Sequence, residues 1–135
     1  MAIIFTFGVD DRGEAQIRPD PRGQPNIFSH GNCNVLGQLE LGMVRPMPVL
    51  LYGPGVIQPN IDIPEKPSLI FNQISNADTH KASLRHCIEF CKRVPVPVVN
   101  APEAVLETGR DRVAEKLRDI PGVHAPRAVT CNPAS

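Results

Sequence analysis

The order of secondary structure is clearest in residues 68–100, which read SLIFNQISNADTHKASLRHCIEFCKRVPVPVVN. A short apolar run opens this segment and predicts a buried strand over residues 68–72. From about residue 79 to residue 93 the apolar positions have the period of a helix. Its apolar stripe consists of Leu84, Cys87, Ile88 and Cys91. A β-branched run over residues 96–100 predicts a second strand. Strand, helix and strand in this order favour a parallel sheet covered by helices.

The first half of the chain is rich in proline, because nine of the fifteen prolines lie between residues 19 and 67. Helices would be broken repeatedly there, so we expect strands and loops. Residues 3–7 are β-branched and aromatic and end at a glycine, which predicts a strand. The apolar run of residues 49–52 predicts another, stopped by a Gly-Pro-Gly turn. Residues 11–25 show no clear period and are expected to form a surface excursion.

Two short helices are predicted after residue 100. Pro102 is suited to the first position of one helix, and Gly109 is suited to end it. Asp111 can cap the next helix, whose apolar side consists of Val113, Leu117 and Ile120. Residues 123–131 predict a final strand, followed by what we interpret as the start of a linker. At the first helix, over residues 79–93, the expected cap is Asn76 or Asp78.

The composition excludes several classes of function. The chain has 135 residues with 14 Lys plus Arg and 14 Asp plus Glu, so no net charge attracts nucleic acid or an anionic membrane. It lacks an apolar run of the roughly 20 residues needed to span a bilayer, and its N-terminus lacks the basic start of a secretory signal. We therefore expect a cytoplasmic protein that binds neither nucleic acid nor a membrane.

Several short motifs occur in a recognisable order. They are Phe71-Asn72-Gln73-Ile74-Ser75-Asn76-Ala77-Asp78, then Asn100-Ala101-Pro102, Asp111-Arg112, and Gly122-Val123-His124-Ala125-Pro126. In this order they resemble the junction between the pre-ATP-grasp and ATP-grasp domains of carboxylate–amine ligases such as glutathione synthetase, carbamoyl-phosphate synthetase and biotin carboxylase. The similarity is greatest to uncharacterised bacterial proteins, some of which carry tetratricopeptide repeats. A His-Gly-Asn segment at residues 30–32 also resembles one in those proteins.

The resemblance implies an α/β fold: a Rossmann-like, mostly parallel sheet with flanking helices and a strand- and loop-rich first half. Residues 1–120 would form the pre-ATP-grasp domain, divided into a Pro-rich part (1–67) and a βαβα part (68–120). Residues 121–135 would lead into a C-terminal ATP-grasp domain that this chain lacks. ATP and Mg²⁺ are then expected for the intact protein and no cofactor for this part, which would be inactive alone.

The resemblance also implies roles for particular residues. Arg112, which follows the Asp at a helix start, would contact the ATP phosphates in the intact protein; a solvated charge in the first turn of a helix is the alternative. Candidates for the substrate side are Asn72, Asn76, Asp78, Thr79 and Asn100. The first four follow the carboxyl end of a predicted strand, where open α/β sheets bind ligands, although capping alone would also explain Asn76 and Asp78.

The cysteines and histidines suggest no chemistry of their own. Cys87 and Cys91 lie on the apolar stripe of the predicted helix, so packing explains them better than a zinc site with His30, Cys33 or His86, or an activated thiol. No disulfide or structural metal is expected. His80 and His124 are expected to titrate freely at the surface. The alternative to a ligase domain is a non-catalytic interaction module that packs on other domains or on a second copy as a homodimer.

Overall fold

The fold is described from a computed structural model that covers residues 1–14, 16–19, 25–28, 30–33, 35, 38–39, 42, 45–51, 63 and 66–127. Six strands and three helices follow one another in the described part of the chain. The strands are β1 (Ala2–Gly8), β2 (Gln16–Pro19), β3 (Pro25–Phe28), β4 (Arg45–Leu51), β5 (Leu69–Asn72) and β6 (Val98–Val99). The helices are α1 (Lys81–Arg93), α2 (Pro102–Leu106) and α3 (Arg110–Arg118).

Four strands form one parallel sheet in the order β4-β1-β5-β6. This arrangement confirms the predicted Rossmann-like α/β fold and the first four of the five predicted strands, with Tyr52 lying outside the described residues. In the first half, β2 and β3 pair with each other in an antiparallel hairpin, which begins within the stretch predicted to be a surface excursion and extends beyond it to Phe28.

The strand order reverses at β1. The chain places β4 on one side of β1 and then β5 on the other, after which β6 adds beyond β5. The crevice between the carboxyl ends of β1 and β5 is therefore the topological switch point, which is where open α/β sheets bind ligands. We call the residues that follow the carboxyl ends of β1, β5 and β6 the carboxyl edge.

The core lies between the sheet and α1. Its buried cluster consists of Ile4, Ile70, Ile74, Ala77, Leu84, Cys87, Phe90 and Val105. Leu84 and Cys87 of the predicted stripe are buried, as expected, and Cys91 packs against the cluster from a half-buried position. Phe90, which the predicted stripe omitted, is 2% exposed, whereas Ile88 is only half-buried. The stripe is thus rotated slightly toward Phe90.

Both longer helices begin differently from the prediction. Helix α1 starts at Lys81 rather than at residue 79, and its cap comes from a distant residue: Asp11 accepts hydrogen bonds from the N–H groups of Lys81 (3.2 Å) and Ala82 (2.9 Å). Helix α3 is preceded by Gly109, so the prediction of Asp111 as its cap was wrong. The N–H of Arg110 donates instead to Asp78 (3.1 Å). In both helices a carboxylate from another segment replaces the local cap.

The apolar side of α3 is not buried within the described residues. Val113, Leu117 and Ile120 are 36%, 38% and 48% exposed, while Ala114 is buried. A small side chain rather than the larger apolar ones therefore faces the domain. Residues 123–127 form no strand, contrary to the prediction, and residues 128–131 lie outside the described part.

Candidate functional site

A segment from the first half closes the switch point. We call residues 30–33 the strap. The carboxamide of Asn32 both accepts from the N–H of Gly8 and donates to its carbonyl, each at 2.8 Å. On the other side Asn32 forms an antiparallel bridge with Ile74, and the N–H of Cys33 donates to the carbonyl of Gln73 at 2.7 Å. The strap therefore joins the ends of β1 and β5.

The strap is fixed to the residues after β5 by its glycine. The carbonyl of Gly31 accepts from the N–H groups of Ser75 (2.8 Å) and Asn76 (3.1 Å) and from the hydroxyl of Ser75 (3.1 Å). Gly31 has a φ of 90°, a conformation that disfavours any residue with a Cβ. The His-Gly-Asn segment, whose role the sequence left open, thus holds the carboxyl edge together.

Asn72, at the end of β5, is the centre of a buried polar network. Its Oδ1 accepts from the Thr6 hydroxyl (3.1 Å) and from the N–H of Ile74 (3.0 Å). Its Nδ2 donates to the carbonyl of Asn100 (3.0 Å), and Asn100 Nδ2 donates in return to the carbonyl of Asn72 (2.9 Å). Asn72 is 0% exposed, and its hydrogen bonds join the ends of β1, β5 and β6.

Asn100 has a left-handed backbone, with a φ of 59°, directly after β6. Asparagine tolerates this conformation better than most residues with a Cβ. Its reciprocal amide pair with Asn72 fixes the conformation, and the chain then enters α2 at Pro102 in the first helical turn, as predicted. The Asn-x-Pro motif therefore has a clear local structural role.

The turn between β5 and α1 carries the other predicted substrate-side residues. Asn76 Oδ1 accepts from the N–H groups of Asp78 (2.9 Å) and Thr79 (3.3 Å), so its side chain stabilises the turn rather than the helix start. Asp78 and Thr79 are exposed. Of the three candidates in this turn, Asp78 and Thr79 therefore have the more accessible polar side chains.

His80 is buried, which corrects the expectation that it titrates freely at the surface. Its ring lies under the strap: a Cβ placed on Gly31 would be 2.4 Å from His80 Cε1. The hydroxyl of Thr79 is 2.8 Å from His80 Nδ1. Burial lowers the pKa of His80 below its ordinary value, and this effect outweighs the opposing influence of Asp10 and Asp11. The other histidine of that prediction, His124, is exposed.

The two arginines at the start of α3 have different partners. Arg110 forms an ion pair with Asp78 (Nε to Oδ2, 3.4 Å), and so lies beside the turn of substrate-side candidates. The predicted phosphate ligand, Arg112, pairs with Glu107, which also lies 3.4 Å from Lys116 Nζ. Arg112 beside it holds the pKa of Glu107 below its ordinary value. Both arginine side chains are exposed, so either is accessible to a ligand.

Two of the thiols that the structure describes, those of Cys87 and Cys91, lie in the core or pack against it. Cys33, Cys87 and Cys91 are free, whereas Cys131 lies outside the described residues. A hydrogen bond with Cys91 and burial both raise the pKa of Cys87 above its ordinary value. Among the described residues, no three His, Cys, Asp or Glu side chains are grouped as a metal site would require.

The carboxyl edge includes residues that the sequence alone did not identify. Asp10 and Asp11 follow β1, and their position after a predicted strand was a signal for this edge. Asp10 accepts from the N–H groups of Arg12 (3.1 Å) and Glu14 (2.8 Å). Asn32 and His80 gave no comparable signal, because their roles arise from contacts between distant segments.

Comparison with known proteins does not assign the chain to a family. No family model, curated protein or solved structure shows significant similarity to this chain. No helix in the described ranges is long and apolar enough to cross a membrane.

Proposed function

We propose that this chain is the substrate-side, pre-ATP-grasp domain of an ATP-dependent carboxylate–amine ligase and is not catalytic alone. The observation that carries the proposal is the switch point between β1 and β5, at whose edge two motif residues of the family resemblance, Asn72 and Asn100, are held together. The nucleotide and its Mg²⁺ would be bound mainly by a following ATP-grasp domain in a longer protein.

The charges at the carboxyl edge suit an acceptor substrate that carries an amine. Asp10 and Asp78 place carboxylates after β1 and β5, and Arg110 adds a guanidinium beside Asp78. Carboxylates bind an ammonium group, whereas a guanidinium binds a carboxylate, often with two hydrogen bonds. A small molecule with both an amine and a carboxylate would therefore match the charges of the carboxyl edge.

Arg112 provides the sharpest test of the proposed nucleotide side. In the longer protein, Arg112→Ala should weaken Mg·ATP binding or turnover by about 1.5–3 kcal/mol, the usual range for a hydrogen-bond partner with a full charge. The expected effect follows from its exposed guanidinium in the first turn of α3, which can donate two hydrogen bonds to a phosphate. Calorimetry with Mg·ATP measures the change.

Arg110→Ala is the matched control, because Arg110 lies in the same helical turn and also has an exposed side chain in an ion pair. We expect Arg110→Ala to leave ATP affinity nearly unchanged. The placement of the phosphates beside Arg112 is wrong if Arg112→Ala has no effect on ATP affinity or turnover. It is also wrong if the two variants lose the same amount of ATP affinity.

The alternative function is a non-catalytic interaction module, and the exposed apolar side of α3 favours it. Val113 and Leu117 lie on one side of α3 and, with Ile120 and Val123 beyond its end, leave apolar surface uncovered by the described residues. Another domain or a second copy of the chain would cover such a surface. The interaction module becomes the favoured function if Arg112→Ala leaves nucleotide binding and turnover of the longer protein unchanged.

A further inference from the structure

His80 lies where the strap meets two segments of the carboxyl edge, the segment after β1 and the turn before α1. The strap covers its ring, since a Cβ on Gly31 would be 2.4 Å from Cε1 and 2.7 Å from Nδ1. The turn before α1 contributes the Thr79 hydroxyl, 2.8 Å from Nδ1. The segment after β1 is joined to the same turn, because the N–H of Asp11 donates to the carbonyl of Thr79 at 2.7 Å. A change in the charge or position of the His80 ring therefore acts directly on the strap.

The charged groups around His80 come from each of these segments. Asp10 and Asp11 act on it from the segment after β1, and Asp11 is already engaged at the start of α1. In the turn, the Asp78 carboxylate is engaged with Arg110. The strap's own titratable groups, His30 and Cys33, flank Gly31 and Asn32, and Lys81 follows His80 at the exposed start of α1.

We propose that the strap is a pH-operated closure of the switch point, held in place over neutral His80 and released when His80 takes up a proton. Release would expose the polar backbone groups that the strap now occupies. These are the N–H and carbonyl of Gly8, the carbonyl of Gln73, and the N–H groups of Ser75 and Asn76. The closure acts on the carboxyl edge whether or not the chain belongs to a ligase.

The direction of the effect follows from burial. In the closed state the ring is shielded from water, which lowers the pKa of His80 and favours the neutral form. In the open state the ring reaches water, so its pKa returns to about 6.5. The closed state is fully favoured above about pH 6.5 and loses stability as the pH falls from there toward the lowered pKa. Acid therefore opens the strap.

Amide hydrogen exchange of the 135-residue chain, followed by NMR, tests this closure. After correction for intrinsic exchange rates, the opening constants of Gly8, Cys33, Ser75 and Asn76 should rise between about pH 7.5 and pH 5.5. Linkage to one histidine limits the rise to about tenfold at pH 5.5. Amides in the middle of α1 should change less. Equal protection of the strap amides at both pH values would overturn the proposal.

His80→Gln should remove this pH dependence, and His86→Gln should keep it. His86 is a matched control because it lies in α1, the helix that begins directly after His80, in a half-buried position. A pH response that survives in His80→Gln contradicts the proposal. If His80→Gln does not fold, the wild-type chain still decides: the opening constant of the strap must begin to rise below about pH 6.5, where the exposed ring takes up its proton, and a rise that begins at a clearly different pH overturns the closure.

Discussion

Replacing Asn72 by alanine should destabilise the chain by about 2–4 kcal/mol, because several buried polar groups would lose their partner at once. The variant leaves the hydroxyl of Thr6, the N–H of Ile74 and the carbonyl of Asn100 without the bonds that Asn72 makes. It also leaves a small cavity at the end of β5. Denaturation by urea, monitored by circular dichroism, measures the loss.

Asn76→Ala is the control for Asn72→Ala. Asn76 is half-buried and makes two hydrogen bonds to the backbone of its own turn, so its loss should cost only about 0.5–1.5 kcal/mol. A midpoint for Asn72→Ala that matches the wild type would show that the network contributes little to stability. The description of Asn72 as the residue that positions the edge would then be wrong.

Gly31→Ala should destabilise the chain by about 2–5 kcal/mol for two reasons that add. The left-handed backbone of Gly31 disfavours a Cβ by about 1–2 kcal/mol. The new methyl group would also be 2.4 Å from the His80 ring, which must move, and overpacking of this kind costs about 1–3 kcal/mol. Thermal or urea denaturation reports the sum.

Gly13→Ala separates these two contributions. Gly13 also has a positive φ, 75°, but a Cβ there has no atom within 4 Å. Its substitution should therefore cost only the backbone contribution, about 1–2 kcal/mol. If Gly31→Ala costs no more than Gly13→Ala, the close contact between the strap and His80 does not constrain the fold.

The elements that the sequence predicted correctly depend on neighbours in the chain. The apolar runs at β1 and β5 and the helical period of α1 are local patterns, and so is Pro102 at the start of α2. Their boundaries moved by a few residues, which is the usual uncertainty of a helix end. Even the buried stripe of α1 was predicted apart from the shift toward Phe90.

What the sequence did not predict depends on contacts between distant segments. Asp11 caps α1, 70 residues further along the chain, where Asn76 or Asp78 was the local expectation. His80 is buried because the strap folds over it, and nothing in its neighbouring residues indicates that burial. A polar residue that follows a strand can cap, turn or bind, and only the three-dimensional arrangement separates these roles.

The central proposal is that this chain supplies the substrate side of the site and a following ATP-grasp domain binds most of the nucleotide. Calorimetric titration of Mg·ATP into this chain, and into a longer protein that adds such a domain, tests it most directly. One exposed arginine and one helix start give only a few charge-assisted contacts, which the loss of freedom on association largely cancels. This chain alone should therefore bind Mg·ATP with a Kd of about 1 mM or weaker, and the longer protein at least about tenfold more tightly. Micromolar binding by this chain alone, or equal affinity for the two proteins, would contradict the proposal that the chain supplies the substrate side of the site.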